Sequence, residues 1–380
     1  MDWIAAGNDP AISVWSDGRF TIEPALASTR KNMHDLSAVD ASADARGVGE
    51  VAPNVPVKLT HDELRRLSQV SPLLGGLHVI GEWSLIIATI YLCQRFWNPL
   101  LYIFAVAFIG ARQHALLILM HDGVHYRLFR NRKLNDWVSE ILLAWPHLVS
   151  ARSYRKNHLA HHKYLNSPQD PDLKRHEGDP AWLFPQTVSN LAKTLFRDVS
   201  GLNGIVLLKL AASLVSDEPV SRSFLVARYG FYAAALGVIV YAGAFKGLLI
   251  YWLVPFFTWL VFIMRIRSIA EHYAIEPAGA AYPSIRTTRA AWLERVFLAP
   301  KNVSYHIEHH FFPSVPFYRL PKLHAILMSK PGYREGAHVT SGYWAVLGES
   351  VGRTTPPRES AGGFAVAAMQ PIQSVIEAAG

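Results

Sequence analysis

A single cysteine, Cys93, stands in 380 residues, which excludes an intramolecular disulfide and any thiolate-rich metal site. Its neighbours are apolar, so it reads as a small buried hydrophobe. Charge is also sparse: Asp, Glu, Lys and Arg together make 17% of the chain. There is no Gly-rich dinucleotide fingerprint and no cysteine set for an iron–sulfur cluster. The first twenty residues mix Asp, Asn, Pro, Gly and Trp without the apolar stretch of a secretory signal, so targeting is expected to rest on internal spans. The formal charge of +8 raises nucleic acid as a partner. However, the Lys and Arg lie beside apolar runs without base-stacking or phosphate-cradling motifs, which points to an anionic membrane surface and to no nucleic acid.

What the chain has is apolar surface. Hydrophobic residues make 51% of it, and 11 Trp, 15 Tyr and 18 Phe suit broad membrane–water interfaces. Residues 73–96, 99–120, 224–245 and 247–264 are each long enough, at about 20 residues, to cross ~30 Å of hydrocarbon. Short turns near Asn98 and Lys246 pair them into two hairpins. Arg127, Arg130, Arg132, Lys133, Arg152, Arg155 and Lys156 follow the first hairpin, and Arg265, Arg267, Arg286 and Arg289 the second. The positive-inside rule then puts both termini and both large loops in the cytoplasm. The expected fold is an all-α integral membrane protein, four transmembrane helices in two hairpins under a cytoplasmic helical cap.

Residues 1–58 are polar and aperiodic and read as a disordered arm, 59–345 as the membrane domain, and 346–380 as a loosely ordered tail. Thr60 and Glu63 form a capping-box pattern that predicts a short helix. Residues 134–148 and 188–214 are apolar but broken by charge, as in helices lying along an interface.

Eight of the 17 histidines fall into three tight groups: His121 and His125; His158, His161 and His162; His306, His309 and His310. Spacings of three and four residues place imidazoles on one helical face, so one helix can supply several ligands. Imidazole suits Fe, Zn and Cu alike. His272, just beyond the fourth span, is the ninth candidate. Nine imidazoles exceed one tetrahedral site and suit two metals. Adjacent carboxylates able to accept a free imidazole N–H are Asp122, Asp170, Asp172, Glu271 and Glu308. Ionisable residues within spans are costly and often functional. They are His78 and Glu82, spaced to pair with each other, then Arg112, His114 and Arg228. Arg112 and His114 are candidates for a polar group of the substrate, as are Arg152 and Arg155 for an anionic head group.

The order His-x3-His, His-x2-His-His, His-x2-His-His between two apolar hairpins resembles the membrane fatty acid desaturase and hydroxylase superfamily. The resemblance covers roughly residues 60–340. Asn166 and Asp170-Pro171-Asp172 after the second group, and Asn302 through Pro313 around the third, are most similar to its acyl-lipid and sphingolipid desaturase branch. It implies a di-iron centre without haem, ligated by all nine histidines above, with O2 as oxidant and an acyl chain as substrate. It also implies two electrons from a separate donor, a ferredoxin or a cytochrome, because no His-Pro-Gly-Gly haem motif is fused here. Some relatives place an Asn one turn before the lone histidine, where it holds a metal-bound water; here that position is Ser268, while Asn302 precedes His306. Desaturation is the leading expectation. Hydroxylation, ketolation and oxidative decarboxylation to a 1-alkene use the same centre, and a non-enzymatic haem or metal-transport protein is the remote alternative. The Ala-rich composition points to a bacterial inner membrane.

Overall fold

The computed structural model describes residues 55–213, 220–275 and 282–352. It also describes two short strands, β1 (Val14–Ser16) and β2 (Arg19–Thr21), which pair antiparallel. The rest of the expected arm to residue 54 and the tail from residue 353 lie outside the described residues. The packed region is wider than expected at both ends. Val57 is already buried, and so is Val346 in the final helix.

α1 (His61–Leu67) begins at the capping box: Glu63 N donates to Thr60 Oγ1 at 3.2 Å and Thr60 N to Glu63 Oε2 at 2.8 Å. α2 (Pro72–Arg95) and α3 (Pro99–Val124) each open on a proline, whose missing N–H is harmless in the first turn. Three residues join them, and the two helices pack along each other. The chain then runs through α4 (Arg132–Val138), a π turn (Ser139–Ala144) and a short 3-10 turn (Trp145–His147) into α5 (Ala151–Tyr164). α6 (Pro171–His176), α7 (Val188–Val199) and α8 (Ile205–Ser213) follow. α9 (Arg222–Tyr241) leads to α10 (Phe245–His272), which contains a π turn at Leu248–Leu253 and a break at Thr258 (φ −116°, ψ −86°). Pro255 has no N–H for the carbonyl of Tyr251, four residues before it, which accounts for the π turn.

The last segment holds β3 (Thr287–Thr288), α11 (Trp292–Phe297), α12 (His306–Phe311), α13 (Leu320–Met328) and α14 (Pro331–Gly336). β4 (Val339–Thr340), parallel to β3, and α15 (Tyr343–Glu349) complete it.

Among the described residues, four helical stretches are long and apolar enough to cross a membrane: His61–Arg95, Pro99–Val124, Arg222–Tyr241 and Phe245–His272. Their outward residues remain uncovered. Ile80, Ile87, Leu100, Ile103, Val226, Leu236, Val238 and Val240 are all exposed, an apolar surface that water penalises and lipid does not. α3 continues past the expected span to Val124 and α10 to His272, so His121 and His272 stand in the last turns of these helices. From Ile109 onward nearly every α3 residue is buried.

Close approach is bought by two glycines of α3. A Cβ on Gly110 would lie 2.8 Å from Trp259 Cβ on α10, and one on Gly123 would strike Ser139 Oγ in the π turn. Gly123 lies between His121 and His125. A Gly123→Ala substitution is therefore expected to lower stability by about 1–3 kcal/mol through overpacking. It should also weaken metal retention, read by melting and metal content together; unchanged values would show that the π turn yields freely.

Candidate metal centre

Nine imidazoles converge from four places: His121 and His125 at the end of α3, three from α5, His272 at the end of α10, and three from α12. Their nitrogens separate into two groups, His121, His125, His158, His162 and His309, and His161, His272, His306 and His310. Within each, one nitrogen per ring lies within 4.8 Å of every other. The spacing rule explains the partition. His158 and His162, four apart on α5, serve the first group while His161 serves the second. His306 and His310 on α12 serve the second group, and His309 the first. Both helices thus straddle the two groups, and the His162 and His310 rings stack at 4.3 Å between them.

Nitrogen faces nitrogen at short range. His158 Nε2 lies 2.9 Å from His125 Nε2 and 3.0 Å from His162 Nε2, which lies 3.0 Å from His309 Nε2. In the second group His306 Nε2 lies 2.8 Å from His272 Nε2 and 3.0 Å from His310 Nε2. A neutral imidazole has one N–H, so these chains cannot all be hydrogen bonds. His121 Nε2, buried, has no hydrogen-bond partner among the described residues. Bonds of about 2.0–2.1 Å to one cation, at right angles, separate nitrogens by about 2.8–3.0 Å; a tetrahedral angle would give about 3.3–3.4 Å. The residues present therefore fit a metal ion in each group.

Burial and neighbouring imidazoles push the pKa values of His125, His158, His306, His309 and His310 well below the usual histidine range, and His162 to about 3. Neutral rings are the ligating form. His161 goes the other way: burial lowers its pKa, but the hydrogen bond it donates to Asp170 and the nearby Asp172 charge outweigh this and raise it.

A stability consequence follows for metal-free protein. Below the unfolded-state value of 6.5 the unfolded chain binds protons that the folded cluster refuses, so stability is lost as the pH is lowered. Each such ring contributes up to about 1.4 kcal/mol per pH unit. Melting of metal-free protein is expected to drop between pH 7 and 5, far more than that of metal-loaded protein. Parallel curves would contradict this.

Outside the rings, Asp170 accepts from His161 Nδ1 at 2.8 Å, with Asp172 at 3.8 Å. Glu271 lies 3.7 Å from His306 Nδ1 and is paired with Arg267 at 2.7 Å; Asp122 lies 3.9 Å from His121 Nδ1 and accepts from Phe317 N. Others are placed differently from expectation. Glu308 turns away from the rings, as adjacent helical residues must. It is held by Thr287 Oγ1, Tyr333 OH and His324, anchoring α12 from behind. Asn302 spends its amide on Phe317 O at 3.1 Å. Ser268 makes no side-chain hydrogen bond among the described residues.

The expected substrate contacts also move. Arg155 caps the end of α3, donating to Val124 O and Gly123 O and pairing with Asp136 at 2.6 Å. Arg152 lies over the Phe224 ring, and His114 is fully buried. Arg112 pairs with Glu82 at 3.1 Å. His78 and Glu82 do not pair with each other. Lys301 stands between them, 2.6 Å from Glu82 Oε1 and 3.0 Å from His78 Nδ1. The need of a span-buried carboxylate for a second cation was the available signal for Lys301. A small cavity reaches both groups: Ile118, Val303, Phe317 and Leu320 form apolar walls beside His121, His306, His309, Asp122 and Lys301.

A family model described as fatty acid desaturase matches residues 97–342. The chain is 29% identical over 296 residues to dihydrorhizobitoxine desaturase of Bradyrhizobium elkanii, covering 74% of this chain and 83% of that one. It is 27% identical over 242 residues to the human sphingolipid delta(4)-desaturase/C4-monooxygenase, covering 60% and 66%. Against the zeaxanthin 4-ketolase of Chlamydomonas reinhardtii it is 25% identical over 221 residues, covering 56% and 41%. With a family match over more than half its length and histidine groups that could hold metal, this chain belongs to the fatty acid desaturase family.

Proposed function

We propose that each histidine group holds one iron and that the protein uses O2 to introduce a double bond into the hydrocarbon part of a fatty-acyl or related lipid. The observation that carries this is the pair of adjacent all-imidazole groups, interleaved on α5 and α12, opening onto one apolar-walled cavity. Bound iron would supply the oxidising power that no side chain has. Overall, R–CH2–CH2–R′, O2, two electrons and two protons give R–CH=CH–R′ and two waters, the electrons coming from a separate ferredoxin or cytochrome.

The chain's own residues do the rest. Ile118, Val303, Phe317 and Leu320 exclude water and hold a methylene against the histidine groups. Asp170 fixes the orientation of the His161 ring, and Glu271 stands near that of His306. Asp122 and Asn302 hold the Phe317 peptide from both sides and so set the cavity wall. We also place the four apolar helices across the membrane as two hairpins, with both termini in the cytoplasm and the membrane a bacterial inner one. The basic residues beside the histidines support that orientation.

Hydroxylation or ketolation is the second reading, favoured by the monooxygenase and ketolase names among the relatives. Mass spectrometry of lipids from reductant-supplied, iron-loaded protein separates them. Loss of two hydrogens is expected; gain of an oxygen, with or without loss of two hydrogens, would establish the second reading instead.

A further inference from the structure

Lys301 is buried where a lysine is costly, and in a conformation that costs more. It and Asn302 both adopt left-handed backbone, φ 56° and 57°, which for residues other than glycine is strained and clusters at functional sites. Its side chain reaches back to α2, where the ammonium meets Glu82 Oε1 at 2.6 Å and His78 Nδ1 at 3.0 Å. An ammonium has three N–H donors, so these two acceptors leave one donor over. The residue itself lines the cavity that touches His121, His306 and His309.

Charge is out of balance in the same direction. Among the described residues, Glu82 is the one carboxylate that both Arg112 and Lys301 contact, so two cations share one anion. The other carboxylate on the cavity, Asp122, is occupied by the Phe317 N–H and lies near Arg127. Burial draws the Lys301 pKa down, and Glu82 opposes this. A single spare donor and a single excess charge match a monoanion such as a carboxylate; a phosphate dianion would need more of both.

We propose that Lys301, beside the cavity that touches His121, His306 and His309, receives a carboxylate of the substrate, so that this protein oxidises an acidic molecule. This rests on reading the histidine groups as the oxidising centre, and it narrows the substrate class from lipids at large to free carboxylic acids.

The test is equilibrium binding to the full chain in lipid nanodiscs, empty nanodiscs subtracted, with octanoate and methyl octanoate as probes. Wild-type protein is expected to bind the acid roughly tenfold to a hundredfold more tightly than the ester, the worth of a charge-assisted hydrogen bond to a buried group. Lys301→Gln, which keeps a hydrogen-bonding side chain against Glu82, should reduce the preference to near one, and Lys301→Arg should keep most of it. Equal affinities in wild type overturn the proposal whether or not the variants fold. So does a preference that survives Lys301→Gln. Metal content measured on the same samples separates the two readings. Two metals without acid preference leaves the centre standing and removes Lys301's role, whereas acid preference without metal does the reverse.

Discussion

Replacing His309 with alanine should remove about half of the bound metal, and replacing His306 should remove the other half, because each ring faces a different group. The two residues sit three apart on one short helix, α12, so simple damage to that helix would affect both metals in either variant. His158→Ala should behave like His309→Ala, and His310→Ala like His306→Ala. The combination of His161→Ala with His309→Ala strikes both groups and should leave almost none. Metal analysis of the purified variants, with a melting curve for each, checks this. Loss of both metals on every single substitution would indicate one indivisible cluster. Full retention would remove these rings from the ligand set.

Glu82→Ala should destabilise the protein by about 3–5 kcal/mol, the cost of leaving buried charge without its partner. Glu82 is 2% exposed and lies between the Arg112 guanidinium and the Lys301 ammonium, so its loss strands two cations between α2, α3 and the strained turn before α12. Replacing all three with apolar residues of similar size (Glu82→Leu, Arg112→Met, Lys301→Met) should recover most of that stability, since the pair attraction and the desolvation cost disappear together. Thermal melting in detergent reads both variants. A Glu82→Ala protein as stable as wild type would mean water reaches the cluster. A triple variant no better than Glu82→Ala would mean the charges contribute net stability.

Local rules carried far in this chain. The capping box at Thr60 and Glu63 predicts a helix start because its geometry needs four residues and nothing else. The four apolar stretches and the three histidine groups are legible for the same reason, since a helical period of 3.6 puts residues three and four apart together. The partition into two groups was not legible. It depends on α5 and α12 crossing so that each straddles both groups, which is a tertiary fact. The true ends of α3 and α10 also escaped, because hydropathy falls at the first histidines while the helical hydrogen bonding continues. Glu308 and Asn302 looked like partners of ligands by adjacency, yet one anchors α12 from behind and the other holds the Phe317 carbonyl. Arg155 was read as a candidate for an anionic head group but caps α3, since its long side chain spans what sequence distance hides. Lys301 was missed altogether: a lysine in a loop carries no periodicity, and its partner Glu82 lies more than two hundred residues earlier.

The most direct measurement is the quantity and identity of metal in wild-type protein purified from cells without added metal. About two irons per chain is the expected result, from two imidazole groups that could each hold one ion. Zinc alone, haem, or no metal in protein that still oxidises its substrate would contradict it.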